Sequence, residues 1–157
     1  MRVKVRAVIL HDGKVVVSRE RRQGEDYLLL PGGRVQNRES IAEALVREVT
    51  EEVGLEVVPE RLLYLAEVVG SYGVHDVNLV WLAALRNAKA PVAADALVAL
   101  DSPEAASIMP PIMDQIAADA ATGWEEVPRW LGNIKRPPHA APQRTAGASG
   151  SDEEVAD

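Results

Sequence analysis

The chain has 157 residues, 47% hydrophobic and 26% charged, with a formal net charge of −7 and no cysteine. That length suits one domain around a single core. The absence of cysteine excludes disulfides and thiolate metal sites and fits a reducing cytoplasm, where we expect the protein, while the acidic balance argues against duplex nucleic acid or an anionic membrane as the main partner.

Residues 2–10 alternate charged and apolar before turning apolar, which predicts a strand. His11, Asp12 and Gly13 then interrupt the run, so no signal-peptide core forms. The longest apolar run, Leu79–Leu85, is about seven residues, against the ~20 needed to span a membrane. Asp12-Gly13 is a hairpin signal, with Lys14–Ser18 as the partner strand. A charged loop is expected from Arg19 to Asp26, then a short strand at Tyr27–Leu30, broken by Pro31-Gly32-Gly33.

A helix is predicted over 41–53. Ser40 and Glu43 form a capping box, Gly54 suits the left-handed position after the last turn, and Leu55 can fold back on Val49. Strands follow at about 55–58, 62–71, 76–85 and 97–100, the last running into Asp101-Ser102-Pro103. A second helix covers 111–121, with Ile112, Met113, Ile116 and Ala120 on one face. Interleaved hairpins and crossovers predict a mixed sheet covered by helices. From Pro137 large apolar residues almost vanish, so we place one domain at 1–136 and a disordered tail at 137–157.

The first helix crowds three glutamates into REVTEEVG. With Ile41 at 0° on a helical wheel, Leu45, Val49, Val53 and Val46 fall between ~40° and ~140° and form the buried face. Glu51 lies at ~280°, Glu48 at ~340° and Glu52 at ~20°, so Glu52 points into the apolar arc. A solvated face explains Glu43 and Glu51 but not Glu52. An inward carboxylate needs partners, because desolvating an unpaired charge costs several kcal/mol. Arg47 can pair with Glu51, yet one guanidinium cannot satisfy Glu48, Glu51 and Glu52 together. A divalent cation can, and oxygen ligands without cysteine or clustered histidine suit Mg²⁺ or Mn²⁺. Pro31-Gly32-Gly33 brings backbone without side-chain bulk to the same place.

These residues together resemble the Nudix hydrolase family, whose box reads G-x5-E-x7-R-E-U-x-E-E-x-G-U, with U a bulky aliphatic residue. Here Gly33, Glu39, Arg47-Glu48, Val49, Glu51-Glu52, Gly54 and Leu55 fill every fixed position. The LPGG at 30–33, the opening hairpin and the closing helix extend the likeness over about residues 3–135.

The resemblance implies an α/β/α sandwich around a mixed sheet, and hydrolysis of a nucleoside diphosphate linked to another moiety with Mg²⁺ or Mn²⁺. It makes Glu48, Glu51, Glu52 and the Gly33 carbonyl metal ligands, has Arg47 orient a glutamate, and gives Glu39 a supporting role. The family often adds an acid in a loop before the closing helix. Asp95 is the first candidate here, with Asp101 and Glu104 behind it and a solvated loop acid the alternative for each; Glu52 acting through a metal is the other choice of base.

Arg19, more than Arg21 or Arg22, could contact substrate phosphates or stay solvated, and the Gly32 backbone could face the substrate. His75 and Asp76 could line the pocket or lie at the surface where their strand begins. Tyr72, seventeen residues past the box, is similar in position to a tyrosine of diadenosine polyphosphate hydrolases, with packing against the fold as the alternative. Trp124 and Trp130 are expected to anchor the C-terminal segment to the core. The partner is then a nucleotide-derived small molecule, with no membrane, and many relatives pair as homodimers. The competing readings are an RNA 5′-end pyrophosphohydrolase, disfavoured by the lack of basic surface, and a catalytically silent Nudix module that senses a nucleotide or binds a partner.

Overall fold

The alternation in RVKVRAV forms strand β1 (Arg2–Val8), whose successive side chains serve opposite faces of a sheet. The computed structural model describes residues 1–70 and 73–134; Tyr72 and the tail expected at 137–157 lie outside them. After β1 come β2 (Leu10–His11), β3 (Lys14–Val16), β4 (Ser18–Arg22), β5 (Glu25–Leu29) and β6 (Gly32–Arg34). Helix α1 (Ile41–Val53) leads to β7 (Val57–Val69), β8 (His75–Leu85), β9 (Leu97–Ala99) and β10 (Ile108–Met109). Helix α2 (Met113–Ala121) and β11 (Arg129–Asn133) complete the described elements.

The central sheet has the order β11-β7-β8-β1-β6 and is mixed. The β1–β8 and β7–β11 pairs are parallel, while β7–β8 and β1–β6 are antiparallel. Two small three-stranded sheets, β10-β5-β4 and β2-β3-β9, adjoin it. Neighbouring residues of β1 show the two faces. Ala7 belongs to a cluster with Val5, Ala44, Leu45, Val49 and Val57, where α1 packs. Val8 belongs to the other, with Leu28, Leu30, Tyr64, Val80 and Ile116, where α2 packs. A helix on each face of a mixed sheet is the expected sandwich.

Helix α1 occupies the predicted span, with its capping box formed and Gly54 left-handed at φ 68°. Four other expectations change. The segment Arg19 to Asp26 is a hairpin rather than a loop, turning through Gln23 (φ 51°) and Gly24 (φ 82°). Its register sets Arg21 opposite Asp26 and Arg22 opposite Glu25, so opposite charges replace apolar alternation as the pairing force. The two strands predicted at 55–58 and 62–71 are one, β7, with register shifts at Pro59/Arg61 and Leu62/Tyr64 absorbing the proline. Helix α2 begins at Met113, past Pro110-Pro111. Trp124 is buried in the α2-side core as expected, but Trp130 is 56% exposed on the edge strand β11. No helix among the described residues is long and apolar enough to cross a membrane.

A buried polar knot ties α2 to the sheet. The Tyr64 hydroxyl donates to Asp119 Oδ2 at 2.6 Å, Gln115 Nε2 donates to the same oxygen at 2.9 Å, and Arg129 Nη2 reaches Oδ1 at 3.3 Å. Burial works against ionising Asp119, but these hydrogen bonds and the Arg129 charge hold its carboxyl below the ordinary value. A depressed carboxylate stabilises the fold above its unfolded pKa of about 3.9 and loses that contribution as pH falls below it. Tyr64→Phe is therefore expected to cost about 2 kcal/mol at neutral pH. That difference from the wild-type chain should shrink below about pH 4, read by urea unfolding at several pH values.

Candidate active site

The site grows from the junction where β6 runs into α1. The guanidinium of Arg47 gathers the acids around it. Its Nε and Nη2 donate to Glu39 Oε1 and Oε2 at 2.5 and 3.0 Å, and its Nη1 donates to Glu48 Oε1 at 3.0 Å and Glu51 Oε2 at 3.3 Å. Nη2 also donates to the Arg34 carbonyl at 3.2 Å, pinning the strand to the helix. The Glu39 hydrogen bonds, ahead of the Glu48 contact, hold Arg47 above its ordinary pKa. Glu39 in turn lies below its own, through Arg47 and the Gln36 amide.

One guanidinium thus serves Glu39, Glu48 and Glu51, and leaves Glu52 out. Exposure follows the wheel: the Glu51 side chain is 59% exposed and the Glu48 side chain 14%. Glu52 is half-buried, and its Oε2 accepts from the Gly32 amide at 3.0 Å. Burial pushes the Glu52 carboxyl up; the Gly32 amide and the charge of Arg6 oppose this, while Glu48 and Glu20 add to it.

Both glycines are required by what they touch. A methyl group added at Gly33 would lie 2.5 Å from the Glu48 carboxylate, so this glycine makes room for that acid. Gly32, at φ 149°, faces the backbone of β1, where an added methyl would meet the Val5 carbonyl oxygen at 2.0 Å. Gly33→Ala should leave the fold standing, because the displaced group is the end of a flexible side chain. It should weaken Mn²⁺ binding about 10- to 100-fold, measured by titration calorimetry.

Sequence reasoning missed Arg6. From β1 its Nη1 donates to the carbonyls of Leu30 and Gly32 at 3.0 and 3.2 Å, bracing the LPGG turn. Desolvation pulls its pKa down against the attraction of Glu52, Glu20 and Glu48. The signal available was an arginine between Val5 and Ala7, both fully buried in the structure. Glu20 on β4 was missed for the same reason, as a charge inside a stretch read as loop.

The remaining candidates have other partners. Arg19 donates from Nε to the Asp95 carbonyl at 2.6 Å and from Nη2 to Glu104 Oε1 at 3.1 Å, so it braces the loop carrying those acids. His75 lies 3.6 Å from Glu67, and Asp76 pairs with Arg2 and Lys4.

Among the described residues, no group of three or more acidic or histidine side chains is already drawn together as a metal cluster. The donors nevertheless fit a hard divalent ion. All are oxygens, and among the described residues the carboxylates Glu39, Glu48, Glu51 and Glu52 stand against the guanidinia of Arg47 and Arg6, with Glu20 adding further negative charge. Negative charge is in excess at this junction, which suits a divalent cation.

A family model of the NUDIX domain matches residues 1–120. No curated protein matches the chain. Among solved structures, the chain is similar to a NUDIX hydrolase from Nitrosomonas europaea at 26% identity, covering 78% of this chain and 89% of that one, with a TM-score of 0.63. A MutT NUDIX hydrolase from Burkholderia pseudomallei matches at 30% identity over 64% of this chain and 84% of that one, with a TM-score of 0.50. An ADP-ribose pyrophosphatase from Streptococcus suis matches at 20% identity over 84% and 97%, with a TM-score of 0.56, and speaks to the fold alone.

Proposed function

The chain belongs to the NUDIX family, and from that premise we propose that it is a Mg²⁺- or Mn²⁺-dependent hydrolase cleaving the pyrophosphate bond of a nucleoside diphosphate linked to another moiety. The observation that carries this reading is the gathering of Gly33, Glu39, Arg47, Glu48, Glu51 and Glu52 at the β6–α1 junction, with every box position occupied.

Glu48, Glu51, Glu52 and the Gly33 carbonyl would hold the metal. A divalent ion there supplies charge to neutralise the pyrophosphate and lowers the pKa of a bound water. The chain's own groups do the rest. Arg47 fixes Glu48 and Glu51 in one orientation, braced by Glu39. The Gly32 amide holds one oxygen of Glu52 and so orients the carboxylate, whose other oxygen would serve the metal and, through it, the attacking water. Water oxygen bonds to phosphorus, the anhydride P–O bond breaks, and the two phosphate-bearing products separate.

The test is product release from a panel of nucleoside triphosphates, ADP-ribose, diadenosine polyphosphates, NADH and nucleotide sugars, with Mg²⁺, Mn²⁺ or EDTA. Turnover that EDTA abolishes is expected for at least one substrate class. Binding of a nucleotide without turnover of any would favour the silent sensing module.

A further inference from the structure

The turn Pro31-Gly32-Gly33 has little stiffness of its own. Its two glycines lack the side chains that restrict a backbone, so the peptide planes around them rotate at low cost. Yet the Gly32 amide has to point one way, because it donates to Glu52 Oε2 at 3.0 Å. In a trans peptide the N–H and the preceding C=O share one plane and point oppositely. The direction of the Gly32 N–H is therefore the direction of the Pro31–Gly32 plane.

Two neighbouring residues of β1 hold that plane and those beside it. The Ala7 amide donates to the Pro31 carbonyl at 2.8 Å. Arg6 Nη1 donates to the carbonyls on either side, Leu30 at 3.0 Å and Gly32 at 3.2 Å. Turning the plane over breaks the Ala7 bond, and letting the adjoining planes follow breaks those of Arg6. Strand pairing does not need this side chain, since the β1–β6 register already sets Val5 beside Gly33 and Arg6 beside Gly32. Stability does not account for it either. Its Nε is buried without a hydrogen-bond partner among the described residues. An apolar side chain of that length would spare the desolvation of a charge and of an orphaned N–H. What the guanidinium adds is the bridge across the turn.

We propose that Arg6 is a positioning residue for the hydrolysis, whose bridge between the Leu30 and Gly32 carbonyls keeps the Gly32 amide aimed at Glu52. It acts through Glu52: without the bridge the turn samples other peptide orientations and the carboxylate loses its anchor. The effect on rate rests on the hydrolase reading, whereas the anchor rests on this geometry alone.

The experiment compares Arg6→Met and Arg6→Lys in the full chain, each alone and combined with Glu52→Gln, with folding checked by thermal melting. Kinetics with Mg²⁺ use whichever member of the nucleotide panel the wild-type chain turns over. Arg6→Met is expected to lower kcat about 10- to 100-fold with KM nearly unchanged. Arg6→Lys keeps a charged donor on a slightly shorter stem and should recover part of that loss. In the Glu52→Gln background either substitution should cost less than about threefold, because the carboxylate it positions is already gone. In EDTA, nuclear magnetic resonance of the Gly32 amide reads the anchor directly: its proton should shift upfield and exchange faster in Arg6→Met. If Arg6→Met does not fold, Arg6→Lys carries the same comparisons.

Near-normal kcat in the folded variants, an equal loss in both backgrounds, or failure of both variants to fold overturns the positioning role and leaves the hydrolase standing. Without wild-type turnover the hydrolase reading falls. A Gly32 amide altered by the Arg6 substitution then still sustains the anchor, and an unaltered one overturns both.

Discussion

Replacing Glu52 with Gln is expected to lower kcat by about three orders of magnitude while leaving the fold intact. The substitution keeps the side chain's size, and its amide oxygen can still accept from the Gly32 N–H that holds Glu52 at 3.0 Å. What disappears is the negative charge and the proton-accepting oxygen. The stability effect should run the other way. Because burial pushes the Glu52 carboxyl above its ordinary value, the ionised form opposes folding in the metal-free protein at neutral pH. The thermal midpoint of Glu52→Gln in EDTA is therefore expected to match or exceed that of the wild-type chain. Near-normal turnover in this variant would remove Glu52 from the chemistry.

Gly32→Ala fails for a different reason. The added methyl would sit 2.0 Å from the Val5 carbonyl oxygen, 2.8 Å from its carbon and 2.9 Å from Arg6 Cα, all backbone atoms of β1. The φ of 149° is itself one that residues with a side chain rarely adopt. No rotamer change relieves either problem, so β6 must move away from β1. That movement breaks the Gly32 amide–Glu52 bond and the Arg6 contacts with the turn. A loss of about 3 kcal/mol or more is expected, a large part of the 5–15 kcal/mol that typically holds a domain together. Urea unfolding measures it, and activity at temperatures where the variant remains folded should still be lost. Gly33→Ala, whose added methyl meets the carboxylate of Glu48 instead, provides the contrast of a folded protein with a displaced carboxylate.

The parts legible in the sequence are those governed by local rules. The bounds of α1 follow from Ser40, Glu43 and Gly54, which act within a turn of the helix ends. The inward direction of Glu52 followed from the helical period, whereas its hydrogen bond to the Gly32 amide did not. What stayed hidden depends on contacts between distant residues. The β4–β5 hairpin is stabilised by opposing charges, which are visible as pairs only once the register is known. The partners of Arg19, Asp95 and Glu104, stand 76 and 85 residues along the chain. Arg6 looked like one more charge on an alternating strand, and only the turn folding over it shows that it braces Leu30 and Gly32. Strand β11 has few residues and an exposed tryptophan, so neither period nor burial announced it.

The most direct test of the central claim is Mn²⁺ binding, followed by electron paramagnetic resonance, in the wild-type chain and in Glu48→Gln and Glu52→Gln. At least one site is expected in the wild-type protein, weakened about 10- to 100-fold by either substitution. Wild-type affinity in both variants, or no binding in the wild-type chain with a nucleotide diphosphate present, would contradict it.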